Sequence, residues 1–311
     1  MLLSIHIMTL NHEEFIIECL DSISRQITTY DFEVCLSDDN SSDNTYEVAL
    51  EYLEKSALNY SVNQNKHQLG LLENYQKTLE MCQGKYVFDL AGDDLFKDSH
   101  SIQIMIDTFE KNPDIGFVEC GYDHYYQKNK KIFPFVNRKR IRGTKEDYTE
   151  SVLTGKFTGV GYCYKKDSFL KHVDLNEYIK LDFAVEDYPL SIDLLMNCKF
   201  KTIDKSLVTY RIHKNSLSHN KELERVIRQT NSINEIINYF TNKYELPNQF
   251  KEQVYQQTQS SLLYYSGYLG NAALGKKTFR NIQPKNLKNY LDYTSSQNSL
   301  FRFISSFLRK I

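Results

Sequence analysis

The chain opens on an apolar run of strand length, Leu2 to Met8, closed by the loop Thr9-Leu10-Asn11. From His12 to Ile27, Phe15, Ile16, Cys19, Leu20 and Ile23 recur at helical spacing and predict an amphipathic helix. Phe32 to Ser37 reads as a second strand. It ends in the polar stretch Asp38 to Thr45, where Ser42 or Asp43 is placed to cap a helix over Thr45–Lys55. Asn59 to Asn63 is a third short strand, His67 to Gly70 a loop, and Leu72 to Cys82 another helix. A fourth run, Tyr86 to Leu90, stops at Ala91-Gly92 and presents Asp93-Asp94. Strands alternating with helices in this way predict βαβ units and an α/β fold with a mostly parallel sheet. After Asn220 the pattern changes. Val226, Ile233, Ile236, Ile237 and Phe240, then Val254 and Leu262-Leu263, predict a mostly helical region over 221–311.

In a parallel sheet the ends of successive strands fall on one edge, which is where ligands of open α/β sheets sit. Three polar loops converge there: Thr9-Leu10-Asn11, Ser37-Asp38-Asp39 and Gly92-Asp93-Asp94. Two adjacent carboxylates at such an edge suit Mg²⁺ or Mn²⁺ carrying a phosphorylated substrate. Taken singly, Gly-Asp-Asp and Asp-Asp-Asn-Ser are also ordinary turn chemistry, and the Asp38 loop reads partly as an Asx turn. No Gly-x-Gly-x-x-Gly and no Gly-Lys-Ser/Thr loop is present, so a phosphate here would rely on side chains and a metal.

Composition narrows the classes. The 311 residues are 41% hydrophobic and 25% charged with net charge −2, an ordinary globular balance that argues against a polyanion binder, and no nucleic-acid partner is expected. The six cysteines are widely spaced, with no Cys-x-x-Cys, and read as buried free thiols of a reducing compartment. The N-terminus has no basic region before its apolar run, and no apolar run reaches transmembrane length. A cytoplasmic protein is expected, peripheral at most on the inner face of the cell membrane.

Four stretches together resemble the family 2 glycosyltransferases with the GT-A fold: Met8–Phe15 running into Leu20–Gln26, Phe32–Thr45, Asn65 through Gly70 and Asn74 to Asp94, and Val185–Leu190 followed by Tyr210–Ser218. The resemblance covers roughly the first 220 residues. It implies a GT-A domain over 1–220, with a nucleotide-sugar half over 1–100 and an acceptor-side half over 101–220, and a helical appendage over 221–311. By resemblance, Thr9, Leu10, Asn11, Glu14, Asp38, Asp39, Asn65, Gly70, Asn74, Gly92, Asp93 and Lys214 line a donor site for a UDP-, dTDP- or GDP-linked sugar. Asp93, Asp94 and His213 are the implied ligands of Mn²⁺ or Mg²⁺. Many members carry a carboxylate where Ala91 stands, so ligation here falls on fewer groups. Asp187, or its neighbour Glu186, is the implied base for the acceptor hydroxyl. Glu186-Asp187 before Tyr188-Pro189 also reads as the start of a helix.

An inverting sugar transfer onto a glycan or lipid-linked acceptor in bacterial surface polysaccharide synthesis is the expectation. Its rivals are a sugar nucleotidyltransferase and a non-catalytic glycan-binding scaffold. Two segments are candidates for a membrane surface. Residues 128–145 are rich in Lys and Arg, and the last stretch, Leu300 to Ile311, has an apolar stripe with basic residues that equally suits a homodimer.

Overall fold

A computed structural model describes residues 1–214, 216 and 222–308, with side chains described as far as 305. The Asn215, Leu217 and Ser218 part of the fourth stretch and the terminal Arg309-Lys310-Ile311 lie outside the described residues. The chain divides into two compact units. One comprises Met1–Val152, Lys156–Asp182 and Glu186–Ser216, the other Leu153–Gly155, Phe183–Val185 and Leu217–Ile311.

The first unit begins β1 (Leu3–Thr9), α1 (Ile16–Ser24), β2 (Phe32–Asp38), α2 (Thr45–Lys55), β3 (Tyr60–Gln64), α3 (Leu71–Met81) and β4 (Tyr86–Asp89), the alternation read from the apolar runs. It continues with β5 (Leu95–Phe96), α4 (Ser101–Lys111), β6 (Ile115–Tyr126), β7 (Lys131–Phe133), α5 (Arg138–Ile141), α6 (Lys145–Leu153), β8 (Tyr162–Lys165), α7 (Lys166–His172), α8 (Leu175–Lys180), α9 (Asp187–Asn197) and β9 (Lys199–Ile212). The sheet order is β3-β2-β1-β4-β8-β6-β9-β5, with β7 paired to β6. The first four strands are parallel, and β8 enters antiparallel between β4 and β6. β1 and β2 are buried almost throughout, so their apolar runs are continuous rather than alternating. Helix α1 buries Ile16, Cys19, Leu20 and Ile23, and α4 buries Ile102, Met105, Ile106 and Phe109, against the same core. All six cysteines are free and five are buried.

The first helix starts later than its periodicity, because Asn11 to Glu13 are drawn into loop contacts with the segment after β2. The N-cap residue of α2, Asn44, makes no side-chain cap. Asp43, one position before it, accepts from the Thr45 amide.

The second unit is helical: α10 (Leu223–Lys243), α11 (Asn248–Leu269), α12 (Ala272–Asn281), α13 (Leu287–Gln297) and α14 (Ser299–Leu308). Val226, Ile236, Ile237, Phe240, Val254, Leu262 and Leu263 are buried in it. Gly267 lets α11 and α13 approach closely: a Cβ there would lie 2.6 Å from the Asp292 carbonyl oxygen. Among the described residues no helix is long and apolar enough to cross a membrane.

Candidate active site

Parallel pairing of β1 with β2 and β4 brings the three predicted loops together. The Asp39 amide donates to the Thr9 carbonyl at 2.9 Å and the Gly92 amide to the Met8 carbonyl at 3.1 Å. Asn11 accepts from the Ser42 amide through Oδ1, and its own amide donates to Ser41 Oγ. Gly92 sits at a close approach: a Cβ there would lie 3.0 Å from both Thr9 Oγ1 and His12 Nδ1. Those two atoms are buried with no hydrogen-bond partner among the described residues, which marks a polar lining that a ligand can complete.

The two carboxylates after β2 have different tasks. Asp38 closes an Asx-type turn, accepting from the Ser41 amide at 2.9 Å and from Ser41 Oγ at 2.5 Å. Asp39 faces the loop before α3. Its Oδ1 accepts from Asn65 Nδ2 at 3.0 Å and the Leu69 amide at 2.7 Å, and its Oδ2 from the Gly70 amide at 3.0 Å. Asn74 Oδ1 accepts from Asn65 and from Ser37 Oγ, so Asp39, Asn65, Gly70 and Asn74 are brought together as one network. A carboxylate offers about four lone-pair sites, and three on Asp39 are engaged within the chain.

Asp93 is nine-tenths buried, and its Oδ2 lies 2.9 Å from His213 Nε2 and 3.9 Å from His12 Nε2. Burial would raise the Asp93 pKa, but the His213 hydrogen bond and the His12 and His213 rings outweigh it and hold the carboxyl below its usual range. Asp94 points elsewhere: its Oδ1 accepts the Arg211 amide at 2.8 Å, and burial followed by the charge of Asp93 pushes its pKa well up. Asp93 and His213 are thus brought together, while Asp94 anchors the end of β9. Glu14 and Lys214 are exposed and Leu10 is half-buried.

Sequence patterns do not single out Arg211 or His12. Arg211 is 1% exposed and organises the loop. Its Nε donates to the Asp93 carbonyl at 2.8 Å, Nη1 to Gln127 at 2.8 Å and Nη2 to Glu18 at 2.6 Å, with its guanidinium over the Phe15 and Tyr125 rings.

Among the described residues no set of three His, Cys, Asp or Glu is arranged around a metal. Asp93 with His213 is a two-group donor set at an acidic edge. That fits Mn²⁺ or Mg²⁺, which complete their shells with substrate phosphate and water.

Asp187 begins α9, and its Oδ2 accepts the Gly159 amide at 2.9 Å. Glu186 stands at the N-cap position without a side-chain capping bond. Both are half-buried. Burial, then the charge of Asp187, raises Glu186 to about 8, and burial also raises Asp187. Beneath them a cavity of about 20 Å³ is lined by Asp89, Gly159, Tyr162, Tyr164 and Asp187. Asp89 accepts from Tyr75 Oη at 2.9 Å, lies 3.3 Å from His6 Nδ1, and is pushed up to about 7 by burial, while burial takes His6 down to about 4. This His6–Tyr75–Asp89 cluster, too, lies beyond what the sequence patterns announce.

A sheet of this topology with an acidic loop at its carboxyl edge defines a GT-A glycosyltransferase fold. Solved structures share it. S. aureus TarS 1-349 with UDP-GlcNAc is 16% identical with a TM-score of 0.56, covering 100% of this chain and 92% of that one. The mannosyltransferase PcManGT from Pyrobaculum calidifontis, in complex with GDP-Man and Mn²⁺, is 14% identical with a TM-score of 0.56, covering 98% and 83%. The chain belongs to glycosyl transferase family 2, whose sequence profile matches residues 4–169. Similar curated proteins include the uncharacterized glycosyltransferase EpsJ of Bacillus subtilis (28% identical, 70% of this chain, 63% of EpsJ) and chondroitin synthase of Escherichia coli (29%, 58% and 26%). A third is the GalNAc(5)-diNAcBac-PP-undecaprenol beta-1,3-glucosyltransferase of Campylobacter jejuni (26%, 68% and 64%). The aligned part spans less than two thirds of each of these proteins.

Proposed function

We propose that this chain is an inverting, divalent-cation-dependent glycosyltransferase. It moves a sugar from a UDP-, dTDP- or GDP-linked donor to a glycan or lipid-linked acceptor in bacterial surface polysaccharide synthesis. The observation that carries this reading is the contact of Asp93 Oδ2 with His213 Nε2, made at the sheet edge where the Thr9 and Asp39 loops also end.

In this reading residues 1–100 form the donor half. Thr9, Leu10, Asn11, Glu14, Asp38 and Asp39 flank the nucleoside, with Asn65, Gly70 and Asn74 holding the Asp39 loop. Asp93, with Asp94 and His213 as further candidates, holds Mn²⁺ or Mg²⁺, and Lys214 adds positive charge near the diphosphate. The bound cation would neutralise charge developing on the nucleoside diphosphate as it leaves. Residues 101–220 form the acceptor side. Asp187 takes the proton of the acceptor hydroxyl as the new bond forms. The Gly159 amide fixes the orientation of its carboxylate. Glu186, raised to about 8 by burial and then by the charge of Asp187, is mostly protonated near neutrality.

The basic segment 128–145 is weaker support for membrane contact than its composition suggests. Arg140 is spent on buried Glu119, and Arg142 pairs with Asp204. Reversing the charge of Arg140 would therefore break a core ion pair rather than probe a surface.

Asp187→Asn tests the assignment. Donor binding by calorimetry should stay close to the parent while turnover falls roughly 10²–10⁴-fold. Retained turnover would move the base to Glu186 or elsewhere.

A further inference from the structure

The charge of this chain is divided unevenly. Residues 253–311 hold eight Lys and Arg against one carboxylate, Asp292, so they sum to +7. Residues 1–252 hold the other 30 basic and 39 acidic groups and sum to −9. Asp292 is buried, while Lys276, Lys277 and Arg280 on α12 and Lys288 on α13 are exposed.

Two helices of the same region, α13 and α14, are inverted with respect to water. The buried residues of α13 are Asn289, Asp292, Ser295 and Ser296, whereas Leu287 is 76% exposed, Tyr290 52% and Leu291 39%. Helix α14 repeats the arrangement. Ser305 is buried and hydrogen-bonded to Ser295 Oγ at 3.0 Å, and Leu300 is 68% and Ile304 48% exposed. Small residues on the packed side allow close helix contact: a Cβ on Gly267 would meet the α13 backbone, and one on Gly275 would meet Ser296. The aliphatic side chains are thereby left on the outside. A soluble helix puts its leucines inward. A face of leucine with a tyrosine at its border and lysines beside it matches the layer where headgroups meet acyl chains.

We propose that the α12–α14 face is a docking surface for an anionic lipid bilayer. Charge decides among the occupants. A second copy would set the exposed Lys276, Lys277, Arg280 and Lys288 against their own counterparts, and like charge opposes that pairing. A nucleic acid would satisfy the lysines but has no use for Leu287, Leu300 and Ile304. An anionic bilayer answers both the charge and the apolar side chains. The proposal goes beyond the donor-site reading and does not depend on it.

The test is co-sedimentation of the full chain, without nucleotide, with vesicles of phosphatidylcholine alone or mixed with phosphatidylglycerol. Binding should require phosphatidylglycerol and weaken with salt. Leu287→Glu with Leu300→Glu, both at exposed positions, should reduce partitioning at least tenfold without lowering the melting temperature. Lys276→Gln, Lys277→Gln and Lys288→Gln together should weaken it on the order of a hundredfold, at about 1 kcal/mol per lysine. Binding unchanged by both sets, or equal on neutral vesicles, overturns the proposal. So does a dimer in solution that the leucine variant dissociates, because the face would then belong to a second copy.

Discussion

Replacing Glu186 with Gln converts the Glu186–Asp187 pair into a quantitative test of its electrostatics. Glu186 moves from an ordinary 4.5 to about 8 on folding, a rise of about 3.5 units, caused first by burial and then by Asp187. A carboxyl whose folded pKa is raised binds its proton more tightly in the native state, so its contribution falls as pH climbs from the unfolded value toward the folded one. Full ionisation against this shift costs about 5 kcal/mol at about 1.4 kcal/mol per unit, and the part falling between pH 5 and pH 8 is about 3.5 kcal/mol. Glu186 is half-buried, and solvent screening reduces that to about 1–2 kcal/mol. Glutamine imitates the protonated form and carries no such penalty. The stability advantage of Glu186→Gln over the parent should therefore be small at pH 5 and grow by about 1–2 kcal/mol at pH 8. Urea unfolding followed by tyrosine circular dichroism reads this well, since the chain has 23 tyrosines and no tryptophan. A difference that stays constant across this range, or shrinks as pH rises, would refute the reasoning.

Two further substitutions probe the scaffold beneath the site. Arg211→Lys keeps the charge but serves one of three directions, losing two hydrogen bonds among those to Asp93, Gln127 and Glu18. Urea unfolding should show a loss of about 2–4 kcal/mol, and less than about 0.5 kcal/mol would mean the network is not holding the loop. Asp39→Asn removes one of the acceptors used by the Leu69 and Gly70 amides. It should destabilise by about 1–3 kcal/mol, with faster hydrogen exchange at those two amides, and unchanged exchange would contradict the assigned role.

The part of the site legible in the sequence is the part made by local chemistry. A strand-length apolar run followed by polar residues announces a sheet edge, so the Thr9, Asp39 and Asp93 loops are visible in the order of residues alone. Their convergence follows from parallel pairing of adjacent strands. Arg211 and His12 are invisible in the same way, because their meaning comes from contacts across long separations. Arg211 reaches Asp93, 118 positions away, only after β9 has crossed the sheet. Asp94 differs from Asp93 in a way that residue order does not show. It is as acidic as its neighbour, and only the amide of Arg211 reveals that it points away from Asp93's partners. The basic segment 128–145 reads as a charged surface, yet burial of Glu119 recruits Arg140 into the core. Helix α13 falls within the region read as mostly helical, but only packing shows that its serine side is the inner one.

Donor binding with and without metal tests the central claim most directly. Melting temperature is measured with UDP-, dTDP- and GDP-sugars, each with Mn²⁺ and with chelator, for the parent and for Asp93→Asn. At a donor concentration of about 100 Kd, binding to the native state contributes about 2.7 kcal/mol, enough to raise the melting temperature by a few degrees. The account predicts that at least one donor stabilises the parent, more in Mn²⁺ than in chelator, and that Asp93→Asn loses the metal-dependent part. Stabilisation by none of the nucleotide-sugars under either condition would contradict it.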